Sequence, residues 1–403
     1  MNLPVADPQF WIVTAAAAVA LGLVLRRIIR RKSSAALPCE HCPKAGQTGH
    51  PRSAKGAGRR ATVLILATAG LAAAAGAAVV EREVAAMGTR LSLAVESDHR
   101  ATGLAVSQAM VGAVEDAERR LSTWRPASEI QSFNSAAPGT RVALSPLLWR
   151  AVSTAVACWH ETGGAFDPTV APLVEAWGLR REGRLPDDVE IARALLFVGA
   201  GRLALDWERH AVAQPGGVRL EEGGFGKGAA LDAALAAARG LEPGVRIELN
   251  FGGQLAWAGR TQPFEVRLAD PRDRSQAVLA LTLSAATGSL STSGNSERKS
   301  VVDGVAIGHL LDPRSGRPAP DIGSATVFSA QATAADCRST GLFVLGAQAG
   351  APLMSRWSRE RQGEAVLLLV EPEGLRALVT PGLAARARAL TPELRIERIA
   401  GLS

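Results

Sequence analysis

Tyrosine is absent from the 403 residues, and aromatic side chains make up only 4% of them. With alanine, glycine and arginine abundant, this is a compositional bias that carries no chemistry. Cysteine is scarce too: Cys39, Cys42, Cys158 and Cys337 are the whole complement. One C-x-x-C pair, Cys39-Glu-His-Cys42 with His50 nearby, supplies at most two thiolates, so it is a weak metal or redox motif. Cys158 and Cys337 fall in helical stretches and read as packed thiols rather than a disulfide. No repeat of 20–50 residues is visible, and no low-complexity linker interrupts residues 83–403.

Positive charge is missing where a nucleic-acid binder would need it. The net charge is +7, but residues 1–60 hold ten Lys/Arg against Asp7 and Glu40. The other 343 residues carry 35 basic and 36 acidic side chains. A neutral folded part excludes nucleic acid as the partner. At 47% hydrophobic residues the chain has the means to bury a core, so disorder is excluded as well.

Two apolar runs are present. Phe10–Leu25 is followed by Arg26-Arg27-Ile-Ile-Arg30-Arg31-Lys32, and Ala61–Val80 is preceded by Arg59-Arg60. The second is about the length that spans a bilayer as a helix, the first is marginal. Basic loops stay in the cytoplasm, so residues 26–60 are expected there, with the large C-terminal part in the periplasm or outside the cell. Arg59–Ala78 also reads as a signal peptide, which changes anchoring but not export. The expected division is a membrane region, 1–82, and one α+β domain, 83–403.

Within that domain, Met87–Val95 alternates as a strand does, and Ala101–Leu121 has helical periodicity. Pro126–Gln131 starts a short helix, with Ser128 and Gln131 at capping-box spacing. Strand-like runs recur at Val245–Leu249, Phe264–Leu268, Val278–Ala285 and Val366–Val370.

Several short segments have chemical content. Glu221-Glu-Gly-Gly224-Phe-Gly-Lys227-Gly228 precedes the alanine-rich stretch Ala229–Arg239, and glycines before a helix let backbone N–H groups approach an anion. It is no Walker A loop, because Lys227 is not followed by Ser or Thr. Asp336 and Thr340 are four apart and share a helix face; a carboxylate and a hydroxyl there suit Mg²⁺. Leu290-Ser-Thr292-Ser-Gly294 reads as a polar loop, and His309 before the Asp312-Pro turn is able to shuttle a proton. Thr162-Gly-Gly-Ala-Phe-Asp167-Pro reads as a turn that wraps a ligand. Taken singly, each also describes an ordinary turn, cap or structural histidine.

Their order is specific. Met87-Gly-Thr, Leu121-Ser-Thr-Trp124-Arg, Gly163-Gly-Ala-Phe-Asp167-Pro-Thr-Val and Gly223-Gly-Phe-Gly-Lys227-Gly are followed by Asn250-Phe-Gly-Gly253, Ser291-Thr-Ser-Gly294, His309-x-x-Asp312-Pro-Arg-Ser-Gly316 and Ala335-Asp336-x-x-x-Thr340. This series resembles the ApbE family, the FAD:protein FMN transferases, over residues 83–390. The resemblance implies a T-fold-related α+β domain that uses Mg²⁺ to split FAD. The FMN half goes to a Thr or Ser hydroxyl of an acceptor flavoprotein, and AMP is released. It also implies that Met87, Trp124, Ala165, Phe166, Asp167, Glu221, Lys227 and Thr292 contact the nucleotide, and that Gly224, Asp336 and Thr340 hold the metal. His309 or Asp336 is the candidate base, with Lys227 on the phosphates. Two departures stand out: Glu221 occupies the place of the family's usual aspartate, and Gly226 that of an alanine before the lysine. The competing readings are an FAD pyrophosphatase releasing free FMN and a non-catalytic membrane flavin carrier.

Overall fold

The computed structural model describes residues 78–295, 299–302 and 304–399. The apolar run 10–25, the basic loop 26–60 with Cys39 and Cys42, and residues 61–77 of the second run lie outside the described residues. Among the described residues no helix is long and apolar enough to cross a membrane.

One nine-stranded sheet organises the domain, and its spatial order follows the chain. The strands are β1 (Ala78–Ala86), β2 (Thr89–Ser97), β3 (Arg246–Phe251), β4 (Gln254–Ala258), β5 (Gly288–Ser293), β6 (Gly323–Ser329), β7 (Glu364–Glu371), β8 (Gly374–Val379) and β9 (Leu394–Arg398). Neighbours run antiparallel except β8 and β9, which are parallel. β1 begins inside the second apolar run, so Ala78–Val80 belong to the folded domain and its edge lies before residue 83.

Alternation explains the sheet's two faces. In β2 and β3, Leu91, Leu93, Val95, Ile247, Leu249 and Phe251 are buried, with half-exposed residues between them. These buried residues share one core with three helices: α1 (Arg100–Leu121), α2 (Pro146–Glu161) and α3 (Gly226–Leu241). The helical period in 101–121 is real; Val106, Met110, Val114, Ala117 and Leu121 form its buried stripe. Helix α4 (Ala332–Arg359) continues the helical layer, its two pieces meeting at Gly346 (φ 66°). The other face of β4, β5, β7 and β8 carries a small sheet of strands 264–269, 277–283 and 387–389. Covered on both sides, β7 is buried over five consecutive residues, Ala365–Leu369. The class is α+β, as expected.

The short helix after Trp124 runs Glu129–Asn134. Ser128 caps it by accepting from Gln131 N–H, while the Gln131 side chain bonds Thr123 O instead of closing a capping box.

Candidate active site

Register gathers the chemical motifs at one end of the sheet. Ala86 pairs with Thr89, Leu91 with Phe251, Phe251 with Gln254 and Leu255 with Leu290. The β1–β2 turn, the β3–β4 turn and the end of β5 therefore line up. The first turn is Met87-Gly88, both at positive φ (45° and 71°), as a two-residue hairpin with the strands' twist demands.

Helices α3 and α4 touch at their first turns. A Cβ on Gly228 would lie 2.4 Å from Ala332 O, so only glycine permits this approach. Asp336, 3% exposed on α4, accepts from Gly228 N–H at 3.1 Å through one oxygen. Its other oxygen accepts from Ser291 at 3.4 Å and lies 3.8 Å from the Lys227 ammonium. Ser339 and Thr340 hydroxyls donate to the Asp336 carbonyl at 3.0 and 3.2 Å. Ser293 Oγ stands 2.9 Å from Ser339 Oγ and 3.3 Å from Thr340 Oγ1. Gly224 closes the cluster: a Cβ there would be 3.4 Å from Thr340 Oγ1 and 3.0 Å from the Phe166 ring. The structure thus brings Gly224, Lys227, Asp336 and Thr340 together.

This donor set fits Mg²⁺. One carboxylate among hydroxyls and a main-chain segment offers only hard oxygen atoms, and too few to enclose the ion without substrate oxygens and water. A thiolate or imidazole metal finds no such place: among the described residues no three His, Cys, Asp or Glu converge.

A second group of side chains flanks the cluster. The Arg180 guanidinium donates to Thr123 Oγ1 at 2.6 Å and to Glu221, and it lies 5.5 Å from the Trp124 ring centre. Thr123 passes the chain on, donating to Glu222 from Oγ1 at 2.5 Å and from N–H at 3.1 Å. Burial and the neighbouring Glu222 push Glu221 up to about 7, and the attraction of Arg180 opposes this without overcoming it. Trp124 itself is 65% exposed. The glycine departure also has a cause. A Cβ on Gly226 would sit 3.1 Å from Glu222 Cβ and Cγ and from Met87 Cε, so these side chains fill the space an alanine methyl would take.

Several of the expected site residues have partners within the protein. The Asp167 carboxylate is engaged by the chain itself. It accepts from Thr169 N–H (2.8 Å), Thr169 Oγ1 (2.5 Å) and Ala200 N–H (3.0 Å), a buried clamp between two loops. Burial holds its carboxyl above the ordinary range. Ala165 is core, packed with Leu342 and Phe343, so of this triplet Phe166 alone adjoins the cluster, beside Gly224. The segment Ser291–Ser293 is not a loop but the end of β5, paired with β6, and alternation turns Thr292 away from Ser291 and Ser293. Thr292 bonds Thr326 at 2.9 Å and lines a cleft toward strand 264–269. His309 follows strand 305–308, half-buried, just before Leu311-Asp312. Cys158 and Cys337 are buried and unbridged, and burial pushes the Cys337 thiol up.

Sequence reasoning missed Arg180 and Ser339, and it took Ser291 and Ser293 for part of a loop. Arg180 lies 41 residues from Glu221 and 57 from Thr123, with no local signal. The serines were findable: Ser291 and Ser293 are two apart, and that spacing marks one face of a strand.

The family model described as the ApbE family matches residues 87–367. The chain is 31% identical over 272 residues to the FAD:protein FMN transferase of Salmonella typhimurium, covering 65% of this chain and 76% of that protein. It is 30% identical over 314 residues to the enzyme of the same name from Klebsiella pneumoniae, covering 73% and 85%. The crystal structure of the ApbE protein of Thermotoga maritima superposes with a TM-score of 0.66 at 28% identity, covering 72% of this chain and 94% of that one.

Proposed function

The chain belongs to the ApbE family, and from that premise we propose that it transfers the FMN half of FAD to a Thr or Ser hydroxyl of an acceptor protein, releasing AMP. The observation that carries this reading is the meeting of Gly224, Lys227, Asp336 and Thr340 at one end of the sheet. Breaking a pyrophosphate develops charge on phosphoryl oxygens, and catalysis is mostly positioning plus neutralisation of that charge. Asp336, Thr340 and Gly224 would hold Mg²⁺, which when bound supplies a second positive charge for those oxygens. Lys227 supplies its own, kept near the site by Asp336. The acceptor oxygen attacks the phosphorus on the FMN side, the bond to the AMP oxygen breaks, and the hydroxyl proton passes to a base. His309 is the candidate for that base, since the Asp336 oxygens already face Gly228, Ser291 and Lys227. Trp124 offers a flat, exposed face for the flavin nucleotide, with Met87 and Phe166 beside the glycine turn.

The test is to incubate the purified chain with FAD, Mg²⁺ and an acceptor domain, then follow nucleotides by chromatography and the acceptor by intact mass. AMP with a matching FMN mass gain supports the transfer. AMP and free FMN without an adduct, across several acceptors, would favour hydrolysis; FAD that stays bound and whole would favour a carrier.

The same reading places the domain outside the cytoplasm and anchored to the inner membrane. Its support is the basic stretch 26–60 between two apolar runs. A reporter enzyme that works only after export, fused behind residue 403, should be active; an inactive fusion would put the domain in the cytoplasm.

A further inference from the structure

We infer that Arg180 is a positioning residue for FAD: it fixes Trp124 as a stacking face and ties that face to the Glu221–Gly224 turn. The inference rests on the reading of this site as an FAD site.

Trp124 is an anomaly on its own terms. A large indole left 65% exposed would swing freely, and ordering it on binding would cost affinity. Arg180 lies against the ring, 5.5 Å from guanidinium carbon to centroid, in the range of cation–π attraction. Its planar fork is itself held from two sides. Nη2 donates to Thr123 Oγ1 at 2.6 Å and to Glu221, and Nη1 reaches Thr123 O at 3.4 Å. Thr123 then donates to Glu222 at 2.5 Å, and the carbonyl of Glu222 accepts from Phe225 N–H at 3.0 Å. An unbroken series of contacts therefore runs from the indole to Phe225, directly after Gly224.

The arrangement also explains the glutamate at position 221. Its carboxylate is engaged with Arg180, and the side chain's extra methylene lengthens its reach toward that guanidinium. Lysine could not replace Arg180, because an ammonium has no planar fork to donate on two sides while lying on a ring.

If Arg180 works this way, it governs affinity for FAD and leaves the phosphoryl step alone. The test uses the full chain with Arg180→Met, Arg180→Lys, Trp124→Ala and the Arg180→Met/Trp124→Ala pair. FAD binding is titrated by fluorescence quenching, and kcat and KM are taken from AMP release. Arg180→Met should weaken FAD binding about tenfold and raise KM to match, with kcat at saturation within about twofold. Arg180→Lys should recover only part of the loss. Because both residues act through one stacking face, the double variant should bind no more than about twofold weaker than Trp124→Ala alone. Losses that multiply in the double variant, unchanged FAD affinity in Arg180→Met, or a collapse of kcat with KM unchanged would each overturn the assignment. A parent chain that does not bind FAD overturns it too. A parent that binds FAD but releases neither AMP nor adduct removes the transferase reading, and the binding cycle still decides the role of Arg180.

Discussion

Asp336 joins α3, β5 and Lys227 in a pocket nearly closed to water, where its charge has the most to do. Asp336→Asn keeps the shape but removes the charge, so Mg²⁺-dependent AMP release should fall by at least about a hundredfold, while metal-free FAD binding persists. Chromatography of AMP across a Mg²⁺ series checks this, and undiminished turnover would remove Asp336 from the metal. Glu221 makes the opposite kind of residue, one whose charge is disfavoured. Its folded-state value, near 7, stands above the ordinary 4.5, so between these the native chain holds the proton more than the unfolded one does. Stability from this group is therefore full below pH 4.5 and lost as pH rises through about 7. Glu221→Gln stays neutral and has no such slope. Its melting temperature should gain on the parent between pH 5 and pH 8, by a difference worth at most about 3 kcal/mol. A gap that does not move with pH would mean that Glu221 stays ionised throughout, held by Arg180.

Among elements, α4 matters most, because it carries Asp336, Ser339 and Thr340. Its start is capped from another helix: Asp232 of α3 accepts from Ala332 N–H (2.8 Å), Thr333 N–H (2.9 Å) and Thr333 Oγ1 (2.6 Å). Asp232→Ala should cost about 1–2 kcal/mol in urea unfolding and lower activity with it, while Asp232→Asn recovers most of the loss. Equal stability of the alanine variant would show that solvent satisfies the helix end. This cap was illegible in the sequence because its partners are 100 residues apart. Helices α1 and α3 were legible, since a buried stripe or an alanine-rich run declares itself locally. β5 was misread for a physical reason. Ser289 and Ser291 are buried yet hydrogen-bonded, to Leu255 O and to Asp336, so a strand between two layers carries a turn-like composition. The Asp167 clamp was illegible for a related reason, since its carboxylate accepts from Ala200 N–H, 33 residues away.

For the whole molecule, the ordered motifs announced the family and singled out Asp336 and Thr340, and antiparallel register explains why segments about 250 residues apart converge. What they did not announce was where folding starts. The apolar run was expected to end at Val80, with the domain from 83, but hydropathy does not distinguish a spanning helix from an edge strand that continues it. In the structure, Ala78 to Arg82 pair with Ser97 to Leu93 along β2. Val80 is 5% exposed and packs where α1 passes, close enough that a Cβ on Gly103 would lie 3.0 Å from it. Arg82 adds a 2.7 Å bond to Gln108 on the same helix. A chain that begins at Glu83 loses the valine and these pairs but keeps the Met87 turn. Burying one valine is worth about 1.5–3 kcal/mol, so the shorter chain should unfold at a lower urea midpoint by roughly that amount than one that begins at Ala78. FAD affinity should be nearly equal, because no residue of the Asp336 cluster or the Arg180–Trp124 group is removed. Equal midpoints would mean that residues 78–82 only lie on the sheet. An equal loss of FAD binding would mean instead that β1 holds the Met87 turn in place.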